Sequence, residues 1–151
     1  MKKILFVCLG NICRSPMAKY IFQDLINQND LTEEFVIDSA ATSNEEVGNG
    51  LYPEARRKLM ENGIECSGHI AKRMTAKDYD KFDYIIGMEE RNRMNILSIV
   101  GEDREKKVFC LLDFSKEPRD ISDPWYTRDF EKAYQDIYEG CKALLEHIKI
   151  K

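Results

Sequence analysis

Between Val7 and Ala18 the chain reads Val-Cys-Leu-Gly-Asn-Ile-Cys-Arg-Ser-Pro-Met-Ala, and two side chains in it can do chemistry. Cys8 offers a thiol and Arg14 a guanidinium. An apolar run, Ile4-Leu5-Phe6-Val7, precedes Cys8, and a helical pattern begins at Pro16. The thiol is therefore expected at the end of a buried strand and the guanidinium where a helix opens. Gly10 and Asn11 are the residue types that most readily take a positive φ. A short loop containing them can curl until the backbone N–H groups of Leu9, Gly10, Asn11, Ile12, Cys13, Arg14 and Ser15 point inward as an anion nest. Arg14 adds a planar fork matched to two phosphate oxygens. A cation at a helix N-terminus is unfavourable by itself and makes sense once an anion is bound. Cys8, at the bottom of that positive bowl, is expected to be held as the thiolate. The chemistry implied is phosphoryl transfer through cysteine.

A thiolate that cleaves a phosphomonoester needs a proton for the leaving oxygen. Asp123, in Ser-Asp-Pro-Trp, is by residue type a turn former. Trp125 and Tyr126 after it are either loop packing or the walls of a pocket for a flat ring. Ser15-Pro16 offers an N-cap followed by a proline at the first helical position. On general grounds His69 is an ordinary core or surface histidine, and His147 is expected at the surface. No Cys-x-x-Cys or His-x3–5-His pair exists to hold zinc.

The elements that must position these groups alternate between short apolar runs and helical patterns. Strands are expected at about 3–8, 35–37, 82–87 and 108–112. Helices are expected from Pro16, with Met17, Ile21 and Leu25 on one stripe, from Pro53 to Asn62-Gly63, from Arg91 to Val100, and from about Arg128 to Ile148. Residues 39–50 and 113–127 read as long connections, the second with Pro118 and Pro124 opposing regular structure. Such alternation implies an α/β fold, a doubly wound parallel sheet with helices on both faces. Ligands bind beyond the carboxyl ends of its strands. Cys8, the 39–50 loop and the Asp123 loop all fall there.

The 151 residues fit one domain, 1–151, with 43% hydrophobic and 33% charged residues. A net charge of −4 argues against a general nucleic-acid or anionic-membrane binder. No run is long enough to span a membrane, and Met1-Lys2-Lys3 with its short apolar stretch reads as a first strand rather than an export signal. The five cysteines lack a framework spacing, so reduced thiols and a cytoplasmic location are expected. A monomer is the default expectation.

Cys-x5-Arg-Ser, taken with Asp123-Pro124-Trp125-Tyr126 near the other end, resembles the low-molecular-weight protein tyrosine phosphatases over essentially the whole chain. The resemblance implies a four-stranded sheet in the order 2-1-3-4. It implies that Cys8 becomes a phosphocysteine, that Arg14 and the loop backbone bind phosphate, and that Asp123 is general acid and then general base. It further implies that the Ser15 hydroxyl donates to the thiolate and that Asn11, Ser39 and His69 brace the loop. Ile12, Glu45, Glu46, Trp125 and Tyr126 would line the substrate pocket. Phosphotyrosine proteins or small aryl phosphates would be the substrates and inorganic phosphate a product, with no cofactor or metal. Cys13 would capture oxidised Cys8 as a Cys8–Cys13 disulfide.

Four positions depart from the family pattern. Lys19 replaces an acid and is expected to make the pocket rim more positive. Glu89 replaces an aspartate, which leaves its support of Arg14 open. Glu45 and Glu46 stand where an aromatic is common and are expected to disfavour acidic peptide flanks. Three other functions use the same loop. A protein arginine phosphatase carries threonine at the position of Ile12 and lacks the aromatic pair. An arsenate reductase, an oxidoreductase, needs resolving cysteines around residues 80–95, where this chain has none. A non-catalytic phosphotyrosine reader normally loses one of Cys8, Arg14 and Asp123.

Overall fold

In the computed structural model, residues 1–150 are described; the last residue of the expected 1–151 domain lies outside them. Four strands, β1 (Lys2–Cys8), β2 (Phe35–Ala41), β3 (Tyr84–Gly87) and β4 (Val108–Cys110), form one parallel sheet in the order β2-β1-β3-β4. The side-chain period of two divides β1 between two cores. Ile4, Phe6 and Cys8 pack with α1 (Arg14–Gln28), α2 (Pro53–Glu61) and the last helix, while Leu5 and Val7 pack with Ile85, Ile96 and Val108 on the opposite face. Between these helices and the last one lie α3 (Asp78–Lys81), α4 (Glu90–Val100) and α5 (Pro124–Thr127), and the chain closes with α6 (Phe130–Ile150).

The strand register positions the site. Cys8 lies opposite Ala41, Val7 opposite Gly87, and Gly87 opposite Cys110. All four carboxyl ends therefore finish within about one residue of a common line, and the loops leaving them share one edge. Gly87 is needed at that edge, since a Cβ there would lie 2.8 Å from Cβ of Asn92. The close approach lets the Asn92 side chain accept from the Met88 and Glu89 N–H groups and cap α4.

Several expected boundaries change. β2 continues to Ala41, so Ser39 belongs to a strand rather than to the 39–50 loop. Polar Asp38 and Ser39 disguise the strand, yet each is satisfied, Asp38 by Lys19 and Lys72 and Ser39 by Asn11. β3 begins at Tyr84 and β4 ends at Cys110, where the Asp113 carboxylate accepts from the Cys110 N–H and turns the chain into a 3-10 helix at Leu111–Phe114. The expectation that proline keeps 113–127 irregular fails at Pro124, which opens α5 because a first-turn position needs no N–H. α6 starts at Phe130 rather than 128, since Arg128 has φ 61° and cannot lie inside a helix. His147 is half-buried rather than superficial, its ring 4.8 Å from that of Phe114 between centroids.

Candidate active site

The loop after β1 is built around Asn11, which is fully buried with φ 62°. Every polar group of this residue is engaged. Its N–H donates to Sγ of Cys8 (3.3 Å), its Nδ2 donates to the hydroxyls of Ser15 (2.8 Å) and Ser39 (3.0 Å), and its Oδ1 accepts from the Lys72 N–H (3.2 Å). Its carbonyl receives Nε2 of His69 at 2.7 Å. The Lys72 N–H can only donate, which fixes the amide orientation of Asn11. Because the Ser15 oxygen accepts from Asn11, the Ser15 proton is free for Sγ of Cys8, 3.0 Å away. Burial pushes His69 below the usual imidazole range. Its neutral ring therefore donates through Nε2–H to Asn11.

α1 begins at Arg14, with Cys13 at the N-cap and no side-chain cap. Ser15 is thus not the cap expected from its type; its hydroxyl serves Cys8 instead. Arg14 is 2% exposed. Its Nη1 donates to Oε2 of Glu89 (2.5 Å) and to the Ile121 carbonyl (2.7 Å), and its Nη2 faces Oδ2 of Asp123 at 3.3 Å. The contact left open for Glu89 is therefore made. Glutamate reaches from the N-cap of α4, where its backbone is extended.

Asp123 caps α5, its Oδ1 accepting from the Trp125 N–H at 3.0 Å while Oδ2 turns to Arg14. A cavity of about 120 Å³ is lined by the loop from Cys8 to Arg14, by Glu45 and Glu46, and by Asp123, Trp125 and Tyr126. Ile12 is half-buried in its wall, and Trp125 and Tyr126 are exposed at its mouth. Glu46 is held by Asn49 and lies so close over Gly10 that a Cβ there would sit 3.3 Å from its Cγ. Cys13 also borders the cavity. Burial, with the nearby Cys8 and Asp123, pushes its thiol well up, so it stays protonated.

The cavity thus gathers Cys8, Arg14, Asp123, Ile12, Glu45, Glu46, Trp125 and Tyr126. Ser15, Ser39 and His69 lie behind its floor, tied to it through Asn11. Lys19 is a correction. It pairs with Asp38 at 3.7 Å beside His69 and Lys72, away from the cavity, so it adds no charge to the rim. Residue types did not reveal the Ile121 carbonyl or the Lys72 N–H, since backbone groups reach the site only through the topology. Among the described residues no cluster of three or more His, Cys, Asp or Glu is placed to hold a metal ion, and no helix is long and apolar enough to cross a membrane.

A parallel α/β sheet that ends in a cysteine-and-arginine oxyanion loop, facing an aspartate and two aromatics, has the layout of a phosphatase. Residues 3–151 match the family model described as low molecular weight phosphotyrosine protein phosphatase. The chain is 38% identical over 151 residues to the low molecular weight protein-tyrosine-phosphatase YfkJ of Bacillus subtilis, covering 99% of this chain and 97% of that protein. It is 38% identical over 150 residues to the human low molecular weight phosphotyrosine protein phosphatase, covering 96% of this chain and 94% of that one. The crystal structure of YfkJ superposes with a TM-score of 0.95, covering 99% of this chain and 95% of that one. The Drosophila arginine phosphatase DARP superposes at 0.89 with 30% identity, covering 99% and 98%. The chain belongs to the low molecular weight phosphotyrosine protein phosphatase family, hydrolases acting on phosphotyrosine.

Proposed function

We propose that the protein hydrolyses phosphotyrosine monoesters through a phosphocysteine at Cys8, in the cytoplasm and without a metal or cofactor. The observation that carries this reading is the convergence of the Ser15 hydroxyl and the Asn11 N–H on Sγ of Cys8, in a cavity shared with Arg14 and Asp123. Two donors aimed at sulfur stabilise a thiolate rather than a thiol. Phosphoryl oxygens bind the loop N–H groups and Arg14, whose fork Glu89 and the Ile121 carbonyl hold in orientation. Sulfur attacks phosphorus as the aryl oxygen leaves and takes a proton from Asp123. Asp123, now a carboxylate, deprotonates the water that displaces inorganic phosphate from Cys8.

The aryl ring of the substrate stands against Ile12, Trp125 and Tyr126 at the mouth. Glu45 and Glu46 disfavour acidic flanks through a salt-sensitive field. The Drosophila relative described as an arginine phosphatase keeps phosphoarginine as a second substrate to test. An apolar Ile12 and the aromatic pair fit a phenyl ring better than a guanidinium. Arsenate reduction is disfavoured because residues 80–95, which run from the end of α3 through β3 into α4, contain no cysteine. The test is turnover of phosphotyrosine, phosphoserine and phosphoarginine peptides in EDTA, alongside arsenate reduction. Selective phosphotyrosine hydrolysis is expected, and a preference for either alternative substrate overturns the reading.

The same loop supports reversible redox protection. Peroxide converts the Cys8 thiolate to a sulfenic acid with release of hydroxide. Oxidation removes the Cys8 charge that helps to hold the Cys13 proton, and Cys13 then attacks that sulfur, its proton passing to the departing hydroxide, giving a Cys8–Cys13 disulfide and water. Wild type should regain activity after reductant and show a two-hydrogen mass loss within the loop, with bound phosphate protecting it. Cys13→Ser should over-oxidise irreversibly; equal recovery of both proteins would leave Cys13 a packing residue.

A further inference from the structure

We infer that Tyr52 and Arg128 form a strut that positions the Asp123 loop over the phosphate loop, a role resting on the acid/base reading of Asp123 proposed above. α5 has only four residues, too few to hold its own shape, and of these only Pro124 is buried. Something outside the helix must seat it. Trp125 provides the link, because its N–H holds Oδ1 of Asp123 while its ring meets Tyr52 edge-on, with centroids 5.1 Å apart.

Tyr52 is fixed in turn on three sides. Its ring stacks on Phe130 at 5.8 Å, its hydroxyl accepts from Nη2 of Arg128 at 3.0 Å, and its backbone N–H donates to the Ile12 carbonyl at 2.9 Å. One residue thus touches the acid loop through its side chain and the phosphate loop through its backbone. Arg128 closes the arrangement. It ends α5 in a left-handed conformation, with its N–H on the Pro124 carbonyl and its guanidinium paired with Glu54 and 5.5 Å from the centre of the Tyr52 ring. The strut joins the end of α5 to the start of α2. It sets the distance from the Asp123 carboxyl to an ester oxygen held above Cys8.

The chain's single tryptophan is Trp125, so fluorescence excited selectively at tryptophan reports on this seat alone. The experiment compares Tyr52→Leu, Tyr52→Phe and Arg128→Ala with wild type and with Asp123→Asn. Its readouts are acrylamide quenching and kcat/KM on phenyl phosphate and 4-nitrophenyl phosphate, with inhibition by inorganic phosphate as a check on the bowl. Tyr52→Leu and Arg128→Ala should raise quenching and lower kcat/KM on phenyl phosphate by about tenfold, since small displacements of a catalytic group are costly. The loss on 4-nitrophenyl phosphate should be much smaller, because its better leaving group needs less protonation. Phosphate inhibition should not change, since the backbone bond to Ile12 survives. Tyr52→Phe, which keeps the ring, should stay close to wild type.

Equal losses on both esters, or quenching that does not change, overturn the strut. Arg128 is exposed, so Arg128→Ala carries the test even if Tyr52→Leu fails to fold. A selective loss in Asp123→Asn without one in Arg128→Ala overturns the strut alone. No selective loss in Asp123→Asn overturns the acid assignment, and the strut's positioning role with it.

Discussion

Cys8→Ser is expected to keep the fold and its affinity for inorganic phosphate while losing turnover of aryl phosphates by about 10⁶-fold, the scale on which covalent enzymes fail without their nucleophile. The substitution exchanges one small atom for another at a residue that is 4% exposed, and it leaves the Ser15 and Asn11 donors in place. On the proposed reading anion binding comes from the loop backbone and Arg14, neither of which the substitution touches. The loss is chemical, because a serine hydroxyl beside two donors and no base stays protonated at neutral pH. Asn11 donates to Ser15, Ser15 to sulfur, and His69 to the Asn11 carbonyl, so these groups stabilise a negative charge and none of them removes a proton from a hydroxyl. Steady-state hydrolysis and a phosphate titration measure the two effects separately. Substantial hydrolysis by Cys8→Ser would sink the nucleophile assignment.

Asp123→Asn is expected to lower turnover by about 10²–10⁴, the usual contribution of a general acid and base. The effect should be uneven. An aryl ester with a poor leaving group depends on the proton, whereas an activated one does not, so the loss in kcat/KM should grow with leaving-group pKa. Asparagine can still accept from the Trp125 N–H through its side-chain oxygen, so the cap of α5 survives and the helix should not come apart. It does lose the charge that faces Arg14 at 3.3 Å, which frees the guanidinium for phosphate. Phosphate should therefore bind at least as well as to wild type. A uniform loss across leaving groups, with weaker phosphate binding, would instead mark Asp123 as structural.

How much of this could be read from the chain differs by residue. The strand-loop-helix around Cys8 was legible because three local signals agree: an apolar run, positive-φ residue types and a proline in the first helical turn. The sheet order followed from the resemblance, and the shared edge for the functional loops followed from chain order alone. Polar positions misled. Asp38 and Ser39 look like loop residues, yet β2 runs through them because Lys19, Lys72 and Asn11 satisfy their side chains across the fold. Lys19 misled in the opposite sense, since its sequence distance from the loop says nothing about which side of α1 it occupies. Tyr52 carried no signal at all. Its contacts with Ile12, Trp125 and Arg128 cross 40 to 76 positions of sequence and exist only once the sheet has brought the loops together.

The central claim is that phosphorus is transferred to Cys8. Asp123→Asn mixed with 4-nitrophenyl phosphate tests it most directly. The activated ester forms the intermediate without an acid, while breakdown lacks its base, so the intermediate should accumulate. Rapid acid quenching, intact mass and peptide mapping should then find one added phosphoryl group on the peptide that carries Cys8, and none in Cys8→Ser treated alike. Continued turnover with no phosphorylated protein, or a phosphoryl group mapped to any other residue, would contradict the account.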